Sequence, residues 1–452
     1  MRILHYSLGF PPFRTGGMTK YCMDLMQAEI NQGNEVALLW PGSYIDASKK
    51  CKIKQRNSKN AIESFEIINP LPVSLLDGIA EPALFSVPKK ENIYYDFLEK
   101  GRFDVIHIHT LMGLPQECIK AAKCLDIKTV FTSHDYFGIC PKGSLMQGNK
   151  LCKDDNNCKD CVNCCKTGMS IYKIRLLQSK LYRIVKTSAA VEWVRKRHIK
   201  SLNAMYNNDA FSYKRIGISK EDSKKYEELR NYYIEIFQMF DIIHFNSRQT
   251  QEIYKKYFDI KNAEKVISIS NASVKACKKL KQIGDKIRLG YLGPLGVRKG
   301  FFVLDSVLSE LYQQGYRNFE LHIYNHIAVE KPYVICHQPY NSSQLIDVMN
   351  NIDVLIVPSI WYETFGFTVL EAIGYGVPVI VSNHVGAKDL IESGVNGIVY
   401  TEGDIGLKKV MKRILDNSKI LFQMNKNIVQ TQEIKTMEYH VKEIIDLYKR
   451  RI

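Results

Sequence analysis

The stretch "WYETFGFTVLEAIGYGVPVI", residues 361–380, sets Glu363 and Glu371 on either side of a Gly-Phe pair and ends in a short apolar run. Directly before it, "DVLIVPS" (353–359) is a continuous apolar segment closed by Pro and Ser, the pattern of a strand buried on both faces of a parallel sheet. A helix should open near Gly366, which leaves Glu363 in the loop ahead of it and Glu371 about one and a half turns inside. "PVIVS" (378–382) supplies the next strand. The two carboxylates then bracket the unpaired N–H groups of the first turn. Such a place can hold a sugar nucleotide, with one carboxylate on sugar hydroxyls, amides on sugar or phosphate, and the other carboxylate on ribose. Spacing alone also fits two polar residues flanking an ordinary amphipathic turn.

Outward from this stretch the same alternation recurs. "IRLGYLG" (287–293), "FELHIY" (319–324) and "GIVY" (397–400) read as further strands with helical patterns between them. In the first half of the chain, "RILHYSL" (2–8) is followed by Met18, Tyr21, Cys22, Leu25 and Met26 at helical spacing and then by "EVALLW" (35–40). "FDVIHIHT" (103–110), a helical stretch near 115–125, "KTVFTSH" (128–134), "FDIIHFNS" (240–247) and "KVISIS" (265–270) repeat the scheme. The expected class is α/β with two doubly wound, Rossmann-like domains and a ligand cleft at the carboxyl ends of their strands. The polar, basic stretch "CKKLKQIGDK" (277–286) is the expected linker.

A length of 452 residues suits two domains of about 200 residues each. Apolar residues at 45% and charged residues at 24% exclude disordered and fibrous classes. A formal charge of +16 favours anionic partners without choosing among nucleotides, nucleic acid and acidic lipid. Apolar runs stay short of a bilayer span, and "MRILHYSLGFPPF" breaks into Gly and Pro too early for a signal peptide, so a cytoplasmic location is expected. Within "IYKIRLLQSKLYRIVKTSAAVEWVRKRHIK" (171–200), Ile174, Leu177, Leu181, Ile184 and Val185 share one face, with Lys173, Lys180, Arg183 and Lys186 on others. This basic helix either packs its apolar stripe on the N-terminal domain, the commoner case, or lies on an anionic membrane.

Two Gly-rich loops carry chemistry. In "FPPFRTGGMTKY" (10–21), Gly16 and Gly17 precede a helix, so backbone amides can approach a phosphate or sugar, although a plain structural turn is the commoner reading of an isolated Gly-Gly. In "GPLGVRKGF" (293–301), Arg298 and Lys299 stand between a strand and a helix, where a diphosphate cradle and a solvated basic turn are equally compatible.

Taken together, E-x7-E within "PSIWYETFGFTVLEAIGYGVPVI", the "KG" after the first strand of the second domain, and "GG" in the first loop resemble the retaining GT-B glycosyltransferases of family four. "DVIHIHT", "FTSHD" and "IIHFNSRQT" resemble strands of that family's N-terminal domain. The resemblance implies a hexosyltransferase-type enzyme that moves a sugar from a UDP- or GDP-linked donor to an oligosaccharide or lipid-linked acceptor, with retention of configuration, in cell-surface polysaccharide biosynthesis. It implies Glu363 at the donor sugar, Glu371 at the ribose, Lys299 at the diphosphate and His134 near the sugar. Gly16, Gly17, Arg298, Gly366 and Phe367 would complete the donor site. No cofactor is required for catalysis on this reading. Pro294 stands where such proteins often carry a phosphate-contacting Arg, and Ala272 stands in place of a usual glycine. The expected domains are an acceptor-side domain over 1–275, with a Cys-rich insert at 140–165 and a basic helical insert at 168–235, a nucleotide-sugar domain over 276–430, and a C-terminal helix over 431–452 that returns to the first domain. The expected location is cytoplasmic, at the inner face of the membrane.

Cys140, Cys152, Cys158, Cys161, Cys164 and Cys165 crowd into residues 140–165. Cys158 and Cys161 form C-x2-C, and with Cys140 and Cys152 they make a candidate structural zinc site. Free thiols and an iron–sulfur or redox centre remain alternatives. Charge and cysteines together leave open a zinc-containing nucleic-acid-binding protein, but the spacing matches no common finger and no aromatic-basic platform accompanies it, so no nucleic-acid partner is expected. A non-catalytic glycosyltransferase-like partner is the other alternative.

Overall fold

The computed structural model describes residues 1–45, 50–74, 78–185, 219–326 and 329–450, together with Ser188 and Trp193. Strands β1 (Arg2–Tyr6), β2 (Glu35–Pro41), β3 (Lys52–Lys59), β4 (Ile62–Ile68), β5 (Val105–Ile108) and β6 (Lys128–Ser133) belong to the first half. A short hairpin, β7 (Met146–Gln147) and β8 (Lys150–Leu151), precedes β9 (Ile242–Phe245) and β10 (Ala263–Val266). The second half holds β11 (Ile287–Tyr291), β12 (Phe319–Tyr324), β13 (Val334–His337), β14 (Val354–Val357), β15 (Val379–Ser382) and β16 (Gly397–Tyr400).

Among the described residues the first sheet runs β10-β9-β6-β5-β1-β2-β4-β3 and the second β13-β12-β11-β14-β15-β16. Every pair is parallel except β3 with β4 and the β7–β8 hairpin. Central strands such as β1, β5 and β14 are buried along almost their whole length, which is why they read as unbroken apolar runs. Each half is a doubly wound, Rossmann-like unit, and together they form the GT-B architecture.

The halves meet directly. The helix Gly17–Asn31 follows β1, and the C-terminal helix Met437–Lys449 packs on it. Tyr21 Oη lies 2.9 Å from His440 Nε2, and Tyr448 Oη donates to Glu29 Oε1 at 2.9 Å. The linker expectation over 277–286 needs correction in one respect. Lys281 is buried and its ammonium donates to the carbonyls of Met349 and Ile352, so this basic residue packs into the second half and is not a solvated spacer.

The basic helix expected over 171–200 is two short helices in its described part, Ile171–Leu177 and Lys180–Val185, parted at the buried Gln178. The rest of that stretch lies outside the described residues. Ile174 is buried, but Leu181 and Ile184 are 70% and 75% exposed, so the apolar stripe does not pack on the domain along its length.

Candidate functional site

Glu363 lies in the loop between β14 and the helix Phe367–Gly374, whose N-cap is Gly366. Its backbone is clamped: Glu363 N donates to His384 O at 2.9 Å, while Gly386 N and Gln249 Nε2 donate to its carbonyl at 2.9 and 3.1 Å. The carboxylate is 5% exposed, accepts from Lys299 Nζ at 2.9 Å and receives the Ser359 hydroxyl on the same oxygen. Gly366 sits at φ +108, and a Cβ there would stand 3.4 Å from Glu363 Oε2 and 3.0 Å from Val385 Cγ1. Only glycine lets the helix start this close to the carboxylate.

Lys299 is delivered by the turn after β11. Gly300 ends that turn at φ +71, with Pro358 O only 1.8 Å from where a Cβ would be. The two loops of the second half therefore touch backbone to backbone, and Lys299 Nζ also lies 5.4 Å from the centre of the Trp361 ring. Lys299, Glu363, Ser359, Gly293 and Thr368 line a cavity of about 100 Å³ at the carboxyl ends of β11 and β14. Arg298 does not join them. Its carbonyl accepts from Ile360 N at 3.0 Å, its side chain is exposed, and its charge reaches the Cys164 thiol. Pro294 brings no charge to the turn, and its carbonyl accepts from Tyr291 Oη at 2.6 Å.

Glu371 is reached from the other half. Asn271 Nδ2 donates to Glu371 Oε1 at 3.1 Å, and Lys20 Nζ donates to Asn271 Oδ1 at 2.9 Å. Burial pushes the Glu371 carboxyl up from its ordinary range, against the pull of Asn271 and Lys20. Gly17 stands across from Phe367, with a Cβ at Gly17 placed 3.6 Å from that ring, and Gly16 at φ +116 caps the first helix with open space around it. Gly17 and Phe367, and Lys20, Asn271 and Glu371, thus bring the two halves together beside this helix, and Arg298 stays apart.

His134 enters the same junction, where Thr364 Oγ1 donates to its carbonyl at 3.0 Å. Behind it runs a buried imidazole chain. Glu29 Oε2 lies 2.6 Å from His5 Nε2, His5 Nδ1 lies 2.9 Å from His109 Nε2, and His109 Nδ1 lies 3.2 Å from His134 Nε2. Burial, with smaller contributions from His244 and His440, pushes the His134 pKa down to about 3, so the ring is a neutral hydrogen-bonding group at physiological pH. His107 on β5 and His109, just past its end, are both buried, and their spacing of two keeps them on one face.

Lys20, Asn271, Ser359, Trp361 and the Glu29 network are functional candidates that sequence reading missed. Lys20 had one signal, its position one turn after Gly16 and Gly17. Asn271 had none beyond its place at the end of the first half.

The cysteines lie on the first half, against the Glu363 loop. Donor atoms of Asp155, Cys158 and Cys161 fall within 4.8 Å of one another. Cys140 and Cys152 join Asp155, Cys161, Cys164 and Cys165 around a cavity of about 20 Å³.

Residues 271–431 match the family model described as Glycosyl transferases group 1. The chain is 29% identical over 151 residues to the capsular polysaccharide biosynthesis glycosyltransferase CapM of Staphylococcus aureus, covering 30% of this chain and 39% of that one. The chain spans about half the length of the curated relatives it matches. Its fold is similar to that of sucrose-phosphate synthase from Thermosynechococcus elongatus, with TM-score 0.59, 14% identity and coverage of 99% and 98% of the two chains. It is also similar to Anabaena HepE in complex with UDP and glucose, with TM-score 0.55, 13% identity and coverage of 98% and 99%.

Proposed function

We propose, from the match of residues 271–431 to the group 1 glycosyl transferases, that the chain transfers a sugar, with retention, from a nucleoside-diphosphate donor to a glycan or lipid-linked acceptor of a cell-surface polysaccharide. The observation that carries this reading is the Lys299–Glu363 pair, 2.9 Å apart, at the start of the helix that buries Glu371.

Each residue then has one task. Glu371, held by Asn271, grips the ribose hydroxyls. Lys299 and the N–H groups of the helix that opens at Phe367 face the diphosphate, where charge grows as the sugar leaves. Glu363 turns its carboxylate to the sugar as the glycosidic bond to phosphate lengthens and the ring gains positive character. The departing phosphate, held on the acceptor's face, takes the acceptor proton, so the new bond forms on the face from which the old one left. Neutral His134 orients the sugar by a hydrogen bond, and Gly16, whose φ of +116 favours glycine, turns the chain so that the first helix opens toward the donor. Packing of Tyr21 against Phe367, their ring centres 6.4 Å apart, closes this side of the junction to water and limits donor hydrolysis. UDP is the favoured nucleotide because the similar HepE fold binds it.

An anionic, membrane-borne acceptor suits the first half. Arg14 and Arg183 each stand 4.5 Å from the Phe13 ring centre, beside the Gly16 loop. Arg14 Nε is buried without a hydrogen-bond partner among the described residues, as a donor awaiting phosphate would be, while the Arg183 guanidinium pairs with Glu66 Oε1 at 2.9 Å. Tyr172, Leu176, Leu181 and Ile184 are exposed near Lys173, Arg175 and Lys180, a composition that suits an anionic lipid face. Among the described residues no helix is long and apolar enough to cross a membrane.

The test is a panel of UDP- and GDP-sugars, scored by thermal stabilisation and donor hydrolysis, followed by NMR of the product's anomeric configuration. A folded chain that binds no nucleotide across the panel would end the proposal.

A further inference from the structure

We propose that a cavity of about 540 Å³ beside the Glu363 loop binds a neutral oligosaccharide, the part of the acceptor that lies beyond its reacting sugar. That the bound glycan belongs to the acceptor rests on the transferase proposal. That it is carbohydrate, and uncharged, follows from the lining.

Two helices and the cysteine-rich insert of the first half enclose the cavity together with one loop of the second half. The helix Lys220–Met239 turns Glu227, Arg230, Asn231 and Ile234 toward it, at the i, i+3, i+4 and i+7 positions that share one face. Ile253 and Tyr257 close a second side, near the end of the helix Arg248–Tyr254 and just past it. The insert supplies a third through Leu145, Asp155, Asn157 and Cys158. Tyr362 stands at the remaining side, one residue before Glu363, with its ring centre 5.4 Å from that of His384. The site therefore spans both halves beside the carboxylate assigned to the donor sugar, and its volume falls within the roughly 300–1,000 Å³ of small-molecule sites.

The walls are held in place before any ligand arrives. Arg230 Nε donates to Ile139 O at 3.1 Å, its Nη2 pairs with Asp155, and its guanidinium lies 5.1 Å from the Tyr257 ring centre. One side chain thus ties its helix to both neighbouring walls. Asp155 Oδ1 also accepts from Cys158 N at 3.2 Å. Leu145, Asn157 and Cys158 carry positive φ, a backbone that persists only where its surroundings hold it.

Charge and side-chain type select the ligand. Lys153, Arg230 and Lys256 offset Asp154, Asp155 and Glu227, so the formal charges of the lining cancel in a chain whose net charge is +16. A phosphate or nucleotide finds no excess of cations here, whereas a neutral ligand meets no net field. With Arg230 and Asp155 paired to one another, the exposed hydrogen-bonding groups of Asn157, Glu227, Asn231 and Lys256 are left beside the half-buried rings of Tyr257 and Tyr362. Donors, acceptors and rings with an apolar body and a polar tip complement the hydroxyls and C–H faces that a sugar presents together.

The test offers the full chain to an array of immobilised neutral oligosaccharides, from disaccharides to hexasaccharides, with sialylated and phosphorylated saccharides alongside. Capture of a neutral oligosaccharide is expected, weakened about tenfold by Glu227→Ala and by Asn231→Ala, each of which removes a hydrogen-bonding group. Glu228→Ala, on the same helix but outside the cavity, should leave capture unchanged. All three positions are exposed, and matched thermal melts check that the fold is kept. Capture of anionic saccharides alone, capture that survives both cavity variants, or no capture at all would overturn the proposal. Calorimetry with UDP separates this site from the donor site. A chain that binds UDP and no saccharide loses this site and keeps the transferase proposal, whereas one that captures saccharide through Glu227 and Asn231 and binds no nucleotide keeps this site and loses the donor.

Discussion

Lys299 and Glu363 neutralise one another across 2.9 Å, with the Ser359 hydroxyl on the same carboxylate oxygen. The ammonium that the proposed mechanism assigns to the diphosphate is therefore shared with the carboxylate assigned to the sugar. Replacing either partner should affect different steps. Glu363→Gln should lower transfer roughly 10²–10³-fold while UDP binds no more weakly, because Lys299 loses its competitor. Lys299→Met should weaken UDP by roughly 1.5–3 kcal/mol, the value of a charge-assisted hydrogen bond. Calorimetry with UDP separates them, and equal weakening by both variants would refute the division of roles.

Glu371 should behave as a binding group. Glu371→Ala is expected to raise the donor KM about tenfold or more with a smaller change in kcat, since a ribose contact is the same in ground and transition states. Burial raises its carboxyl above the ordinary 4.5, so the ionised acceptor forms later than in water as pH rises. Donor affinity should climb with pH through that raised range, and Glu371→Gln should flatten the climb. An unchanged pH profile in the Gln variant would assign the titration to another group.

How much of this was legible before folding depends on where each residue's partners lie. "FELHIY" and "GIVY" coincide with β12 and β16 because an apolar run closed by polar residues marks its own ends. β3, "KIKQRNSK", escaped notice because it is an exposed edge strand with hardly an apolar residue, paired antiparallel to β4. β13 is likewise an exposed edge. The Glu363 and Glu371 motif announced itself locally. Asn271 and Lys20 did not, since the two lie 251 positions apart and only the closure of the halves brings them to Glu371. The amphipathic stripe around Leu181 misled because helical periodicity assumes an unbroken helix, and Gln178 interrupts it.

Gly300 tests the packing of the two catalytic loops. A methyl group there would meet Pro358 O at 1.8 Å, and the backbone is already at φ +71. Gly300→Ala should therefore part the loops, lowering stability by about 1–3 kcal/mol and transfer by more than Lys299→Met alone, because Lys299 and the Glu363 loop shift together. Thermal melts and kcat/KM are the measurements. A variant with wild-type melting and activity would show that the loops do not touch in solution.

The imidazole chain predicts acid sensitivity with a definite sign. Burial lowers His134 and His244 from the ordinary 6.5 to about 3 and pushes His107 and His109 well below their usual value. Between pH 6.5 and 3 the unfolded chain binds protons that the folded chain refuses, so stability falls as the medium is acidified through this window. It is restored above it. His244 offers the cleanest variant, because its Nε2 donates to Ile267 O at 2.8 Å and its Nδ1 accepts from Thr132 Oγ1 at 2.8 Å, away from the proposed donor contacts. His244→Gln should be less stable than the parent at pH 8, yet lose stability more slowly on acidification, by up to about 1.4 kcal/mol per pH unit for the proton no longer taken up on unfolding. Denaturant midpoints from pH 8 down to pH 5 give both slopes. Parallel slopes for parent and variant would mean that His244 is protonated in the folded chain, and the neutral network argued for His134 would fall with it.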